Sequence, residues 1–406
     1  MSIELHGLQH GHNVAGHRNG VGAPLTQPKR NTKTRYGTGA TARLPLKWLP
    51  TALGVCLTIF LVGCSPTPDP LFEQTFYIFG TMVDLTLWGV SKPLAQQAGT
   101  TIEADLKNMH RDWHAWQPGE LMRLNQAIAQ GAPFQASPEI ITLIRTSQAA
   151  EQRSAGTFNP AIGRLIGLWG FHQDIPPGGQ TPAPSEIARL VAQHPSTRNL
   201  TIAGNTVLSN NPAVALDFGG IAKGYAGDLV IAKLSTMGIH NAIFNAGGGL
   251  QVTGRHGDQP WRIAIRDPRG NGALASVELG PATVGMHTSG NYERFREFAG
   301  KHYSHIIDPR TGMPVEGVVS ATVIHPDGIW SDASTKGMVV GGIHCWSVLA
   351  GRMGLTSVLL VDEQGNVYMT PEMSHRVHFE KTPSQIIVKD PIIGESESAL
   401  SQECGG

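Results

Sequence analysis

The stretch at residues 215–228, ALDFGGIAKGYAGD, organises the rest of the chain. An apolar run at 213–216 ends in Asp217 and turns through Gly219 and Gly220. A helix-like segment follows, with Lys223 in its first turn. A strand that stops at a carboxylate and turns through two glycines into a helix is suited to an anion. The glycines allow close approach, the free N–H groups point outward, and the helix dipole favours negative charge. Asp217 would contact a ribose, base or metal, and Lys223 a phosphate. An ordinary strand–turn–helix with a surface lysine has the same outline. Neither GxxxxGK[ST] nor GxGxxG is present in it, so it is neither a P-loop nor a dinucleotide fingerprint.

Around this stretch the pattern is α+β. Residues 74–88 alternate as two strands broken at Gly80. Residues 94–113 have helical spacing, with Ala98, Ile102, Leu106, Met109 and Trp113 on one stripe. Ser137-Pro138-Glu139 starts a helix that runs to about Arg153, and Ser185 is placed to cap another. Residues 200–202 and 206–208 read as a hairpin across Gly204-Asn205. The second half is rich in strands, at 242–245, 261–266, 275–279, 283–288, 303–307, 320–324 and 357–361. Helical stretches lie near 333–340 and 346–353. The expected fold is α+β, a two-lobed body with a mostly antiparallel sheet and flanking helices.

The ends of the chain carry a different signal. The first 47 residues are polar and basic, and an apolar run fills 48–63. That run is short for a transmembrane helix and right for a signal-peptide core. It ends Leu61-Val62-Gly63-Cys64, which resembles a bacterial lipobox with Cys64 as the lipidated residue. The expected organisation is leader and signal peptide at 1–63, linker at 64–73, body at 74–388 and polar tail at 389–406. The body is then exported, periplasm-facing and lipid-anchored, at the inner membrane. Lys+Arg and Asp+Glu both number 31, so the net charge is zero, which argues against nucleic acid as a partner. Cys345 and Cys404 remain beyond the anchor. A disulfide between them is open, and no CxxC or metal-type Cys/His spacing occurs.

Four further stretches combine unusual residues, TSGNYERF (288–295) among them. AGGGLQ (246–251) follows a strand and suits close approach of a ligand, or a tight turn. HYSHIIDPRTGMPV (302–315) puts His305 on a strand, two residues before its end, beside a glycine turn. A histidine titrates near neutrality and can act as a base, though strand histidines also serve structural roles. WSDASTKGMVVGG (330–342) brings Asp332, Ser334 and Thr335 to a helix start. Their oxygens suit Mg²⁺, and Asp332 or Ser334 also suits a helix cap.

Taken in order, eight segments resemble the ApbE family of FAD:protein FMN transferases. They are FGTMVDL (79–85), ELMRLN (120–125), GTFNPAIGRLIGLWGF (156–171), LDFGGIAKGYAGD (216–228), NAGGGL (245–250), TSGNYERF (288–295), HYSHIIDPRTGMPV (302–315) and SDASTKGMVVGG (331–342). The resemblance implies an enzyme that binds FAD and Mg²⁺. It would transfer FMN through its phosphate to a Thr or Ser hydroxyl of a partner, releasing AMP. The implied partner is a flavoprotein subunit of a membrane redox complex, of the sodium-pumping NADH:quinone or Rnf type, or of nitrous-oxide respiration. Two alternatives are an FAD pyrophosphatase giving FMN and AMP, and a non-catalytic flavin-binding lipoprotein.

By motif, the resemblance assigns Phe79, Thr157, Phe158, Asn159, Asp217, Lys223 and Ile307 to FAD. It assigns His305 as the base, and Gly220 and Asp332 to the metal. Two positions depart from the family. Asn159 stands where Asp is usual. Lys336 stands where the family's metal-binding Thr would be, four residues after Asp332, with Thr335 one position early. A protonated lysine has no lone pair to give a metal. Thr335 as replacement ligand, Lys336 as replacement charge, and a weak metal site are all compatible with the sequence.

Overall fold

The computed structural model describes residues 71–173 and 180–393. The lipobox with Cys64, most of the linker, and Cys404 lie outside the described residues. The body opens with the antiparallel hairpin β1 (Leu71–Ile78) and β2 (Thr81–Trp88), starting three residues ahead of the expected boundary at 74. Its two-residue turn, Phe79-Gly80, has φ of 59° and 67°, the paired positive values that match the twist of a hairpin. Helices α1 (Lys92–Trp113) and α2 (Glu120–Gln130), the short strand β3 (Phe134–Gln135) and helix α3 (Pro138–Arg153) follow. Ser137 caps α3 by accepting from Ile140 N. Helices α4 (Gly163–Leu168) and α5 (Pro184–Val191) are short. Ala183, not the expected Ser185, is the N-cap of α5, because Pro184 already begins the helix.

Next come the hairpin β4 (Leu200–Ala203) and β5 (Thr206–Ser209), helix α6 (Ala222–Thr236), and strands β6 (Ala242–Ala246) and β7 (Gly249–Thr253). Strands β8 (Trp261–Arg266), β9 (Ala273–Leu279), β10 (Val284–Gly290), β11 (Phe295–Phe298), β12 (Lys301–Ser304) and β13 (Val318–His325) lead to helix α7 (Gly328–Met353). The body closes with β14 (Ser357–Asp362), β15 (Asn366–Met369), α8 (Pro371–Arg376), β16 (Val377–Phe379) and β17 (Gln385–Val388). The two helical stretches expected near 333–340 and 346–353 are one helix, kinked at Gly342, where φ is 76°.

The large lobe is built on a nine-stranded sheet in the order β1-β2-β6-β7-β10-β13-β14-β15-β17. Every pairing in it is antiparallel except β15 with β17. Both faces of its middle are covered. Ala321, Val323, Val358 and Leu360 pack into the helical core, while Ile324, Leu359 and Val361 pack on the other side beneath the small sheet β16-β9-β8. Residues on both faces are therefore buried, which is why β14 reads as a nearly continuous apolar run, while β13 also buries Ser320 and Thr322. The smaller lobe has its own core of Ile162, Leu165, Trp169, Phe171, Ile187, Leu190 and Ile307. Cys345 is buried and disulfide-bonded, while the pairing with Cys404 falls outside the described residues. Among the described residues no helix is long and apolar enough to cross a membrane.

Candidate active site

Residues 213–217 do not form the expected strand. Ala215 makes a single parallel bridge with Ile162, and Asp217 N donates to Pro160 O at 2.8 Å. The side-chain amide of Asn125 supplies the rest: it accepts from Leu216 N (2.7 Å) and donates to Leu216 O (2.9 Å). One side chain thus replaces a neighbouring strand and leaves Gly219-Gly220 free to turn into α6.

Helices α6 and α7 cap each other. The N-cap residue of α6, Ile221, offers no side-chain acceptor, and the first-turn amide Gly224 N donates instead to Asp332 Oδ2 of α7 at 2.9 Å. In return Asp228 of α6 accepts from Gly328 N and Ile329 N, the first amides of α7, each at 2.8 Å. Carboxylates at helix N-termini satisfy orphan donors and complement the dipole. The approach is close enough that a Cβ on Gly224 would clash with Gly328 O and lie 2.7 Å from Asp332 Cβ. Asp332 is 1% exposed, and its Oδ1 is paired with the Lys336 ammonium. Burial pushes the Asp332 carboxyl up, but Lys336, His287 and Lys223 outweigh it and hold the group below the usual carboxylate range.

Asp217 forms the second arm of the site. Its Oδ1 accepts from Gly219 N at 2.8 Å, and its Oδ2 lies 3.1 Å from His172 Nε2. Burial opposes ionisation, yet the bond and charge of His172, with Gly219 N, keep its carboxyl below its ordinary range. His172 stacks on Trp116 with ring centroids 4.4 Å apart. From there His114, His110 and Phe79 continue edge to face, at 4.3, 5.1 and 5.7 Å. This row of rings ends at the β1–β2 turn, where Phe79 holds a left-handed conformation that costs a non-glycine residue about 1–2 kcal/mol.

His305 lies one residue past the end of β12, not on a strand as expected. Arg294, opposite His305 one step beyond the Phe295–Ser304 pair, accepts through its carbonyl from both the backbone N and Nδ1 of His305 at 3.0 Å. A carbonyl only accepts, so Nδ1 carries the proton and Nε2 keeps the lone pair. The Arg294 guanidinium is itself tied to Phe171 O (3.3 Å) and Gln173 O (3.1 Å). Burial, reinforced by the charges of Arg294, Lys223 and Lys336 and opposed by the bond to Arg294 O, pushes His305 down to about 3. The imidazole is therefore neutral at pH 7 and surrounded by cations. A second histidine, His287, is buried on β10 with Nδ1 3.1 Å from Ser331 Oγ. Burial, with Lys336 and Lys223 and against Asp332, pushes it down to about 4.

A sequence profile of the ApbE family matches residues 79–359. The chain belongs to the ApbE family. It is 43% identical over 332 residues to an FAD:protein FMN transferase of Rhodobacter capsulatus. The match covers 80% of this chain and 63% of that relative, so the chain spans less than two thirds of its length. An FAD:protein FMN transferase of Klebsiella pneumoniae (strain 342) is 30% identical over 338 residues, covering 79% of this chain and 94% of that one. The solved flavin transferase ApbE from Vibrio cholerae superposes with a TM-score of 0.67 at 26% identity, over 76% of this chain and 100% of that one.

As an ApbE member the chain brings together Asp217, Gly220, Lys223, His305 and Asp332, five of the residues singled out by motif. Others serve the scaffold. The Thr157 hydroxyl donates to Ser154 O at 2.9 Å, and Phe158 is buried with Cε2 3.4 Å from where a Cβ of Gly220 would lie. Asn159 accepts from Ala161 N and donates to Pro195 O, both at 2.8 Å, so the amide does scaffold work that needs no charge. The Ile307 side chain belongs to the small lobe's core, which leaves its backbone as the part able to meet a ligand. His172, Asp228 and His287 also belong to the site, although no motif singles them out as functional residues. The last of these stands directly before TSGNYERF, as a polar side chain in an otherwise buried strand.

The residues do not fit the magnesium ion that the resemblance implies. Both Asp332 oxygens are taken, one by Gly224 N and one by Lys336. The Thr335 hydroxyl, expected as a ligand, is fully buried; it donates to Asp332 O at 2.8 Å and meets Ser289 Oγ at 2.7 Å. Nor does Asp332 cap its own helix. Helix α7 starts four residues earlier, and Asp332 caps α6 instead. Ser334 bonds back to Trp330 O at 2.7 Å. Among the described residues no three His, Cys, Asp or Glu side chains form a group able to hold a metal ion.

Proposed function

We propose that this protein transfers FMN from FAD to a Thr or Ser hydroxyl of a partner protein and releases AMP. Membership of the ApbE family and relatives named FAD:protein FMN transferase support the reading. The observation that carries it is His305: a neutral imidazole with Nδ1–H fixed on Arg294 O and Nε2 open to accept a proton, facing Lys223 and Lys336. The acceptor oxygen attacks the phosphorus on the FMN side of the diphosphate. A new O–P bond forms, the bond from that phosphorus to the bridging oxygen breaks, and AMP leaves with the bridging oxygen. The hydroxyl proton passes to His305 Nε2. Lys223, Lys336 and the N-terminus of α6 hold the charge that builds on the diphosphate. The incoming diphosphate also offsets the cations that depress His305, so the base strengthens as substrate binds. The row of rings from Phe79 to His172 offers π faces to the flat parts of FAD, with Asp217 at its end.

The partner in this reading is a flavoprotein subunit of a membrane redox complex. The body is lipid-anchored through Cys64 on the periplasmic side of the membrane, as the lipobox and basic leader suggest. The test is incubation of the chain with FAD and a candidate redox subunit, followed by mass analysis of the subunit and assay of AMP. Covalent FMN on the subunit with matching AMP is expected. AMP and free FMN without an adduct would mean hydrolysis. FAD that stays bound and intact would refute catalysis.

A further inference from the structure

Lys336 occupies an unusual place. It lies one turn after Asp332 on α7, and its ammonium is paired with Asp332 Oδ1. The other oxygen of that carboxylate is pinned by Gly224 N at the start of α6. The lysine stem crosses the glycine turn, with Cγ 3.6 Å and Cδ 3.8 Å from where a Cβ on Gly220 would be. The side chain therefore spans from Gly220 to Asp332, the two groups that the resemblance would give to a metal. It is mostly buried, with 17% of its side chain exposed, and its charge acts on His287, His305 and Glu293 as well as on Asp332. Lys223 acts on the same four groups. A divalent ion added here would meet two ammonium groups and a carboxylate whose oxygens already accept from Gly224 N and from Lys336. Hard cations of that kind need several oxygen ligands.

We propose that the Lys336 ammonium is a built-in cation, seated between Gly220 and Asp332 in place of a divalent ion, and that it charges the diphosphate site so that FMN transfer proceeds without magnesium. The reaction loses nothing in atom balance. The proton still goes from the acceptor hydroxyl to His305, and AMP still leaves with the bridging oxygen. Only the neutralisation of its charge passes from a metal to Lys336 and Lys223. The proposal rests on the FMN-transfer reading for its diphosphate, but its first test needs no turnover.

That test titrates the full chain with Mn²⁺ in the absence of FAD and follows the free-ion signal by electron paramagnetic resonance. AMP release from FAD in the presence of a candidate redox subunit is then compared in EDTA and in Mg²⁺. The wild-type chain is expected to retain no Mn²⁺ and to release AMP at rates within about twofold in the two conditions, since the site's charge is already in place. Lys336→Thr should gain one Mn²⁺ per chain, and its AMP release in EDTA should fall on the order of a hundredfold and recover with Mg²⁺. Lys336→Arg, which keeps the charge, should stay resistant to EDTA. Retention of a Mn²⁺ ion by the wild-type chain, or loss of its AMP release in EDTA, overturns the proposal, and both measurements stand even where a variant does not fold. A wild-type chain that binds FAD but never releases AMP defeats the transfer reading, while the Mn²⁺ titration still decides whether Lys336 fills the metal's place.

Discussion

Asp228→Asn isolates the contact that joins the two helices of the site. The carboxylate takes three donors: Gly328 N and Ile329 N at 2.8 Å and Gln251 Nε2 at 2.7 Å. Asparagine keeps one oxygen and turns an NH₂ group towards a donor. Losing one cap bond costs about 1 kcal/mol, and a buried donor left without an acceptor costs about 1–3 kcal/mol more. The wild-type chain should therefore lead the variant by roughly 2–4 kcal/mol at pH 7. The lead should depend on pH, and its sign follows from the carboxyl itself. Burial, only partly opposed by the two amides, pushes Asp228 from 3.8 up to about 6. The folded chain then holds more protons than the unfolded chain between those values. The stability this group contributes is complete below pH 3.8 and is lost as pH rises through about 6. Two units correspond to about 3 kcal/mol. Asparagine carries no such proton, and histidines common to both chains cancel in the difference. Urea denaturation of both proteins at pH 4 and pH 7 should show the wild-type lead shrinking by about 2.5 kcal/mol on going to the higher pH, since the unfolded carboxyl is already partly ionised at pH 4. A lead that stays constant or grows with pH would refute the argument that burial dominates at Asp228.

Three other outcomes follow from the same geometry. His305→Ala should bind FAD as the parent does but lose transfer by about 10²–10⁴-fold, and kcat/KM of the parent should show no acid limb near 6.5, because the free imidazole is pushed down to about 3; transfer that survives the substitution removes His305 from the mechanism. Gly224→Ala should lose about 1–3 kcal/mol by thermal or urea unfolding, since its methyl group meets Gly328 O and Asp332; unchanged stability would show that α6 and α7 part more easily than their contact suggests. Thr335→Val removes a hydroxyl bonded only within the protein, so it should lower stability by about 1 kcal/mol and leave FAD affinity and the EDTA response unchanged; a shifted metal response would restore Thr335 as a ligand.

Features set by short-range periodicity were legible in the sequence. The alternation at 74–88 became β1 and β2, and the apolar runs at 320–324 and 357–361 became central strands buried on both faces. What escaped depends on groups far apart in the chain. The segment at 213–216 looked like a strand, but Ala215 makes only a single bridge to 161–163, and Leu216 bonds to the side chain of Asn125, 91 residues earlier. The start of α7 carries no side-chain cap of its own, because Asp228 caps it from 100 residues away. His305 sits one residue beyond β12 with its backbone still bonded to Arg294 O, and nothing local reveals that the same carbonyl also takes its ring donor. At the site, motif order pointed to Asp217, Lys223, His305 and Asp332. The partners that fix them, His172, Arg294 and Gly224, come from other segments and left no local sign.

The metal question turns on helix geometry. Positions one turn apart on a helix share a face, and a single step rotates the side chain by about 100°. On α7, Ser331 and Thr335 form one such row and face β10, where they meet His287 and Ser289. Asp332 and Lys336 form the adjacent row and face α6, where they meet Gly224 and Gly220. A threonine moved from 336 to 335 therefore leaves the site row and enters the sheet interface. Thr335 cannot substitute for a ligand at 336 without unwinding the helix that presents both. The residue in the ligand's row is Lys336, and it contributes a charge where an oxygen would be needed, so the carboxylate that anchors α6 is also the one that holds the site's cation.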